Sequence, residues 1–294
     1  KVAPFRATTV MLDWICPLLM AMFLLVRWRQ YPALRSVFRT TFAWGVALLS
    51  LYGIYQFFMA PPWDALWMEG SGMTSVGKPE PFENRVCSTL NSPGPFAMVL
   101  MSGLVLLFDG KGLVGRLAPI PGYMAFLLSL VRGAWGGWVL ALSFSLLRLQ
   151  NASRGRVIAI LVPITAVTVP IIMSGEIGDQ AGERMETFSN LEEDGSLQAR
   201  QHMYSTVGVE LLFNPIGQGL GAQTFDSDFV TILFQLGLIG GLVYLGGLLM
   251  MLIPVLRDTP STDRFAVLAS GIALSYFALM LMGPQVVGIK GCVF

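Results

Sequence analysis

Apolar residues run along this chain in long, nearly uncharged blocks, and most polar residues fall between the blocks rather than alternating with them. The blocks cover residues 7–26, 41–60, 88–108, 113–131, 133–147, 157–175, 228–254 and 265–284. A run of about 18 or more apolar residues is long enough to cross a bilayer as a helix. The second, third and seventh blocks have that length without interruption, whereas the others are shorter or broken. No period-2 pattern of strands is visible, and lipid cannot satisfy a free backbone group. The pattern predicts an all-α integral membrane protein, a polytopic bundle with about eight spans in one transmembrane domain.

The fourth and fifth blocks read at first as one, because Arg132 alone interrupts the apolar run from Leu117 to Leu147. A single helix of that length would measure about 46 Å at about 1.5 Å per residue, too long for a hydrocarbon core of about 30 Å. Lys111 and Arg116 precede the run and Arg148, Arg154 and Arg156 follow it, so both flanks read as cytoplasmic and two crossings lie between them, with Arg132 at the outer turn. Arg27, Arg29, Arg35 and Arg39 mark a further inside loop, and Arg257 and Arg264 the last one. The longest outside segment, 176–225, holds eight acids and two arginines. The chain opens on Lys1 rather than Met, close to a span, and reads as a fragment of a longer multispan protein.

Composition agrees with this class. The 294 residues are 54% hydrophobic and 13% charged, with a net charge of +1, where a soluble domain carries roughly a quarter of its residues charged. No nucleic-acid partner is expected. The three cysteines, Cys16, Cys87 and Cys292, form no metal-binding spacing, and one histidine cannot build a histidine-rich site. Neither a metal nor a cofactor is expected. The run Glu192-Glu193-Asp194 reads as a solvated face.

The outer segment is where chemistry could reside. Ser196 can cap a short helix on which Arg200, Tyr204, Val207 and Leu211 share one face, lying along the membrane surface and ending before Asn214-Pro215. Gly217, Gly219 and Gly221 follow, a loop whose amides could cradle phosphate oxygens or simply make a turn. Asp226 and Asp228 sit where the chain enters the seventh block; each is either a chemical group or a helix-start residue. Arg132, between two apolar runs, is a ligand for an anion or an anchor that snorkels to lipid phosphate. Two arginines with backbone donors suit a diphosphate leaving group, and a nearby carboxylate suits deprotonation of a hydroxyl. A transporter or flippase for an anionic substrate would use the same arginines but show repeat symmetry and ionisable residues at mid-depth, neither of which is evident apart from Asp13. A non-catalytic assembly partner would use the acidic segment as a protein contact.

Three stretches carry a resemblance. "LVRGAWGGWVLAL" resembles a helix start in the O-antigen ligase and O-antigen polymerase superfamily. "ARQHMYSTVGVELLFNPIGQGLG" is similar to its outer-loop pattern, and "DSDFVTILFQLGLIGGLVYL" to the helix that follows. The resemblance covers residues 93–284. It implies a metal-independent, inverting glycosyltransferase of the bacterial cytoplasmic (inner) membrane, active at the periplasmic or extracellular face in polysaccharide biosynthesis. Its partners would be an undecaprenyl-diphosphate-linked glycan donor, a glycan acceptor, membrane lipids and polysaccharide-assembly proteins. Arg132 and Arg200 would contact the diphosphate and Asp226 would stand at the position of the ligase histidine, making all three catalytic. Gly217, Gly219, Asp228 and His202 would line the substrate site. Val131 stands where the family has serine, and the absent histidine favours a polymerase over a ligase. His202 does not match the histidine position and otherwise reads as an interfacial histidine.

The charge bias makes a direct prediction about orientation. Cysteines introduced between Glu176 and Asp194 should react with impermeant thiol reagents from outside the cell, and cysteines introduced beside Arg35 or Arg154 should not. The reverse labelling pattern would invert the topology.

Overall fold

The computed structural model describes residues 4–172, 215–286 and 290–291, and the elements below are drawn from these. They are helical, with no strand among them beyond one isolated bridge between Gly77 and Asn84. The helices are α1 (Pro4–Val26), α2 (Tyr31–Met59), α3 (Pro62–Ser71), α4 (Pro93–Leu106), α5 (Gly112–Leu117), α6 (Pro119–Leu128), α7 (Arg132–Arg148), α8 (Asn151–Ile172), α9 (Asp228–Asp258) and α10 (Arg264–Leu279). A helix therefore stands at each of the eight apolar blocks. By length and composition, three helical stretches suffice to cross a membrane: Phe5–Val26, Trp28–Met59 and Asp228–Asp258. Pro93–Asp109, Pro119–Leu128 and Arg264–Leu279 are shorter and apolar. Large apolar side chains such as Leu25, Leu48, Val243 and Met250 point outward from the long helices. An outward apolar surface of this extent belongs in lipid, and the protein is a membrane-embedded helical protein.

The chain divides into two compact units. Residues 30–186 and 260–272 form the larger one, whose described part holds α2 to α8 and the start of α10. Its centre is α4, where Phe96, Ala97, Leu100, Met101, Leu104 and Val105 are all fully buried. A helix apolar on every side must be sheathed by others, and α2, α6 and α7 do this. Small residues allow close approach: Gly122 of α6 lies against Leu104 and Val46, and α7 turns Ala134, Gly137 and Ala141 inward.

Helices α6 and α7 form an antiparallel hairpin. Trp135 donates its ring N–H to the Phe126 carbonyl at 3.4 Å, and Tyr123 meets Trp138 edge-to-face at 5.6 Å, a register centred on the turn between Leu130 and Val131. Leu130 adopts φ +53°, and Arg85 ties the turn down by donating to the carbonyls of Ser129 and Leu130 at 3.1 and 2.9 Å. Around Arg85, the segment after α3 folds over the end of α2. Gln56 accepts the amides of Cys87 and Ser88, and the Asn84 carboxamide donates to the carbonyls of Gln56 and Phe57. Burial pushes the Cys87 thiol up to about 11, keeping it protonated and unreactive.

Two boundaries differ from the sequence reading. The basic stretch read as an inside loop is largely helical, because α2 starts at Tyr31 and carries Arg35 and Arg39 in its first turns. Their charges are held by Asp109 and Asp263. The block at 88–108 becomes helical only at Pro93, since Ser88 and Asn91 take positive φ and proline favours the first turn.

The smaller unit, 1–29, 187–259 and 273–294, includes α1, α9, the end of α10 and the segment after it among its described residues. Ile232, Leu245, Met280 and Val286 form a core against which Trp14, Phe229 and Phe277 pack. Helix α9 is broken at Gly237, which has φ +75° and ψ 175°. Pro215, Ile216 and Gly217 pass directly against this break, and a Cβ on Gly237 would collide with their backbone. Gly237→Ala should therefore destabilise the protein by about 2–4 kcal/mol, from forced left-handed φ plus overpacking. Gly246→Ala, whose Cβ would meet nothing within 4 Å, should leave the thermal midpoint in detergent unchanged or raised. Equal midpoints for the two variants would contradict the break.

Candidate functional site

The segment from Pro215 to Thr231 carries four of the candidate residues, and its course is set by the broken helix. Where Gly237 departs from helical geometry, the carbonyls of Phe234 and Gln235 lose their usual acceptor role within the helix. The amide of Gln218 donates to the Phe234 carbonyl at 2.9 Å and that of Gly219 to the Gln235 carbonyl at 3.1 Å. The Gln235 side chain completes the clasp, accepting from the Gly221 amide at 3.4 Å and donating to the Gln223 carbonyl at 2.9 Å. Gly217 has φ +83°, and a Cβ there would meet the Gln235 carbonyl oxygen at 2.7 Å.

These contacts correct one sequence expectation. The sequence pattern allows the loop to offer its amides to phosphate oxygens; in the structure the amides of Gly219 and Gly221 face α9 and are bonded there. Gly217 is required by close backbone approach and Gly219 by its φ of +90°. Both glycines serve the docking of the loop onto the helix.

The two aspartates differ sharply. Asp226 is exposed, in a bend just before α9. It is not the N-cap; Ser227 holds that position and directs its hydroxyl to the Met280 carbonyl at 3.3 Å. Thr231 secures the bend by accepting the Phe225 amide at 2.9 Å. Asp228 is buried, and its Oδ2 accepts the amides of Gln285 and of Val286, the latter at 3.0 Å. Its own amide donates to the Met280 carbonyl at 2.8 Å. Lys290 and Tyr244 lie within electrostatic reach of this carboxylate. A helix-dipole role worth a few tenths of a kcal/mol understates this residue, because it joins the start of α9 to the segment after α10.

Arg132 is the first residue of α7 and is partly buried. It stands at the closed end of the α6–α7 hairpin, beside the turn that Arg85 ties down. Ser129 to Val131 make the turn, and Gly133, Gly136 and Gly137 lie within α7, where Gly137 is buried. Arg132 belongs to the larger unit, and Gly217, Gly219, Asp226 and Asp228 to the smaller. Arg200, His202 and the short interfacial helix lie outside the described residues. No group of three or more His, Cys, Asp or Glu side chains that could hold a metal occurs among the described residues.

Sequence reading missed Arg85, Gln235 and the Gly237 break. Glycine and glutamine inside an apolar block were signals for the last two; the role of Arg85 depends on contacts more than 40 residues away. Comparison with protein-family profiles, curated proteins and solved structures finds no match.

The geometry separates the two aspartates experimentally. Asp228→Ala strands two buried amides, each costing about 1–3 kcal/mol, and should lower the unfolding midpoint in detergent markedly. Asp226→Ala should change stability by less than about 0.5 kcal/mol, as for a surface site. Comparable losses in both variants would refute the distinction.

Proposed function

We propose that this protein is a membrane glycosyltransferase that transfers or polymerises a lipid-diphosphate-linked oligosaccharide at the outer face of the bacterial cytoplasmic membrane. The observation that carries the reading is Arg132 at the start of α7. An arginine there, on a hairpin whose opposite end bears Lys111, Arg154 and Arg156, fits a cation held at headgroup depth on the side facing away from the cytoplasm. Its planar fork suits diphosphate oxygens. In the proposed reaction, the exposed carboxylate of Asp226 takes the proton of an acceptor hydroxyl. That oxygen bonds to the anomeric carbon of the donor sugar as the bond to the diphosphate breaks. Arg132 and Arg200 then stabilise the departing diphosphate charge. The arginine bias assigns all three residues to the outer side, the resemblance of the three quoted stretches agrees, and a polymerase fits the absent histidine better than a ligase does.

The broken α9 favours a second reading, since discontinuous helices build the substrate sites of many transporters. Against it, the carbonyls freed at Gly237 are taken by the amides of Gln218 and Gly219 rather than left open to an ion or substrate.

Purified protein supplied with lipid-linked oligosaccharide in the presence of chelator tests the proposal. The expected result is longer glycans from the wild type, a loss of about tenfold or more for Arg132→Lys and about a hundredfold for Asp226→Asn, with donor binding retained. Unchanged glycan length and yield from Asp226→Asn would remove the base. Substrate translocation without any new glycosidic bond would support the transporter.

A further inference from the structure

The larger unit holds a second polar centre, built around Asp109 at the end of the unit that carries the inside arginines. Arg35 donates to Asp109 at 2.8 Å, Arg39 approaches it with two nitrogens, and Arg264 lies at 3.7 Å. Arg35 also pairs with Asp263 at 3.0 Å, and Tyr31 donates to the same carboxylate at 2.8 Å. Beside these groups is a cavity of about 410 Å³, which Arg35, Arg39 and Arg264 share with Lys111 and Arg156. Its volume falls in the usual range of small-ligand sites, about 300–1,000 Å³.

Charge decides what the cavity is for. Five cations gather around two carboxylates, Asp109 and Asp263, an excess of three positive charges. No carboxylate among the described residues pairs with Lys111 or Arg156. Arg35 has, in addition, a buried Nε without a hydrogen-bond partner. Packing repulsive cations around a cavity is unfavourable unless an anion neutralises them. Four guanidinium groups, an ammonium and the Tyr31 hydroxyl offer only donors or rotating hydroxyls, the complement of tetrahedral oxyanions. Arg39 and Arg264, held by Asp109, are only 13% and 19% exposed, while Lys111 and Arg156 are exposed and open to an incoming anion.

We infer that this cavity binds a phosphate group, at the end of the larger unit away from Arg132. The phosphate belongs either to the headgroup of an anionic phospholipid or to a soluble ligand that enters from the aqueous side. Basic clefts between membrane helices suit the first source; the cavity's volume leaves room for the second. The site lies on the far side of the α6–α7 hairpin from Arg132, so the inference stands or falls independently of the reaction proposed there.

The test uses the full chain purified in detergent and two probes. Pyrophosphate is titrated by calorimetry, and phosphatidylglycerol is compared with phosphatidylcholine by native mass spectrometry of retained lipid. The variant Lys111→Gln/Arg156→Gln removes the two exposed cations and leaves the Asp109 network intact; Lys111→Gln alone serves as a milder form. Arg116→Gln/Arg148→Gln removes equal charge outside the cavity lining. The expected result is binding of at least one probe, weakened about tenfold or more by the first double variant and little changed by the second, with unfolding midpoints matched. Binding confined to phosphatidylglycerol identifies a headgroup site, and binding of pyrophosphate a soluble one. Failure of both probes to bind, or equal weakening by both double variants, overturns the inference.

Discussion

A helix that breaks inside an apolar bundle exposes carbonyls that lipid cannot satisfy, and each unsatisfied group costs several kcal/mol. In the smaller unit this constraint governs everything around Gly237. The carbonyls of Phe234 and Gln235 need donors, the Gln218 and Gly219 amides supply them, and that pairing requires backbone contact close enough to exclude any side chain at residues 217 and 237. The glycine-rich loop, its path up to the Phe225 bend and the entry angle of α9 all follow. Asp228 applies the same rule at the other boundary: its carboxylate gathers the amides of Gln285 and Val286 where the chain leaves α10.

The larger unit meets the constraint by covering helix ends with side chains. Gln56 and Asn84 hold the segment that crosses the end of α2, and Arg85 takes the two carbonyls at the α6–α7 turn. At the opposite end, Asp109 lets three arginines approach one another closely enough to form the wall of a cavity. Polar groups are sparse in this chain, and most of the buried ones hold backbone or counter-charge.

Helix positions were legible because an uncharged block of sufficient length has few alternatives to a helix. The ends were less so. Arg35 and Arg39 resemble loop residues until Asp109, some 70 residues away, is seen to neutralise them. Asp228 and Asp226 look equivalent in "FDSDF", yet only Asp228 meets amides 57 and 58 residues downstream. Local patterns encode propensity and hydropathy; these pairings depend on chain separation, to which a one-dimensional pattern is blind. Arg132 stood out as a candidate by its cost in an apolar run, whereas the sequence could not show that the amides of Gly219 and Gly221 are bonded to α9, because glycine serves backbone docking as well as anion binding.

The carboxylate of Asp109 also links parts of the chain that are synthesised far apart in time. Its partners are made at very different times: Arg35 and Arg39 precede it, whereas Arg264 emerges some 150 residues later. Before Arg264 is made, one acid and two arginines can already join α2 to the short helical turn that follows α4. Arg264 then arrives at an occupied acceptor and brings the start of α10 with it. The start of α10 is thereby tied, through Arg264, to a carboxylate placed some 150 residues earlier in the larger unit.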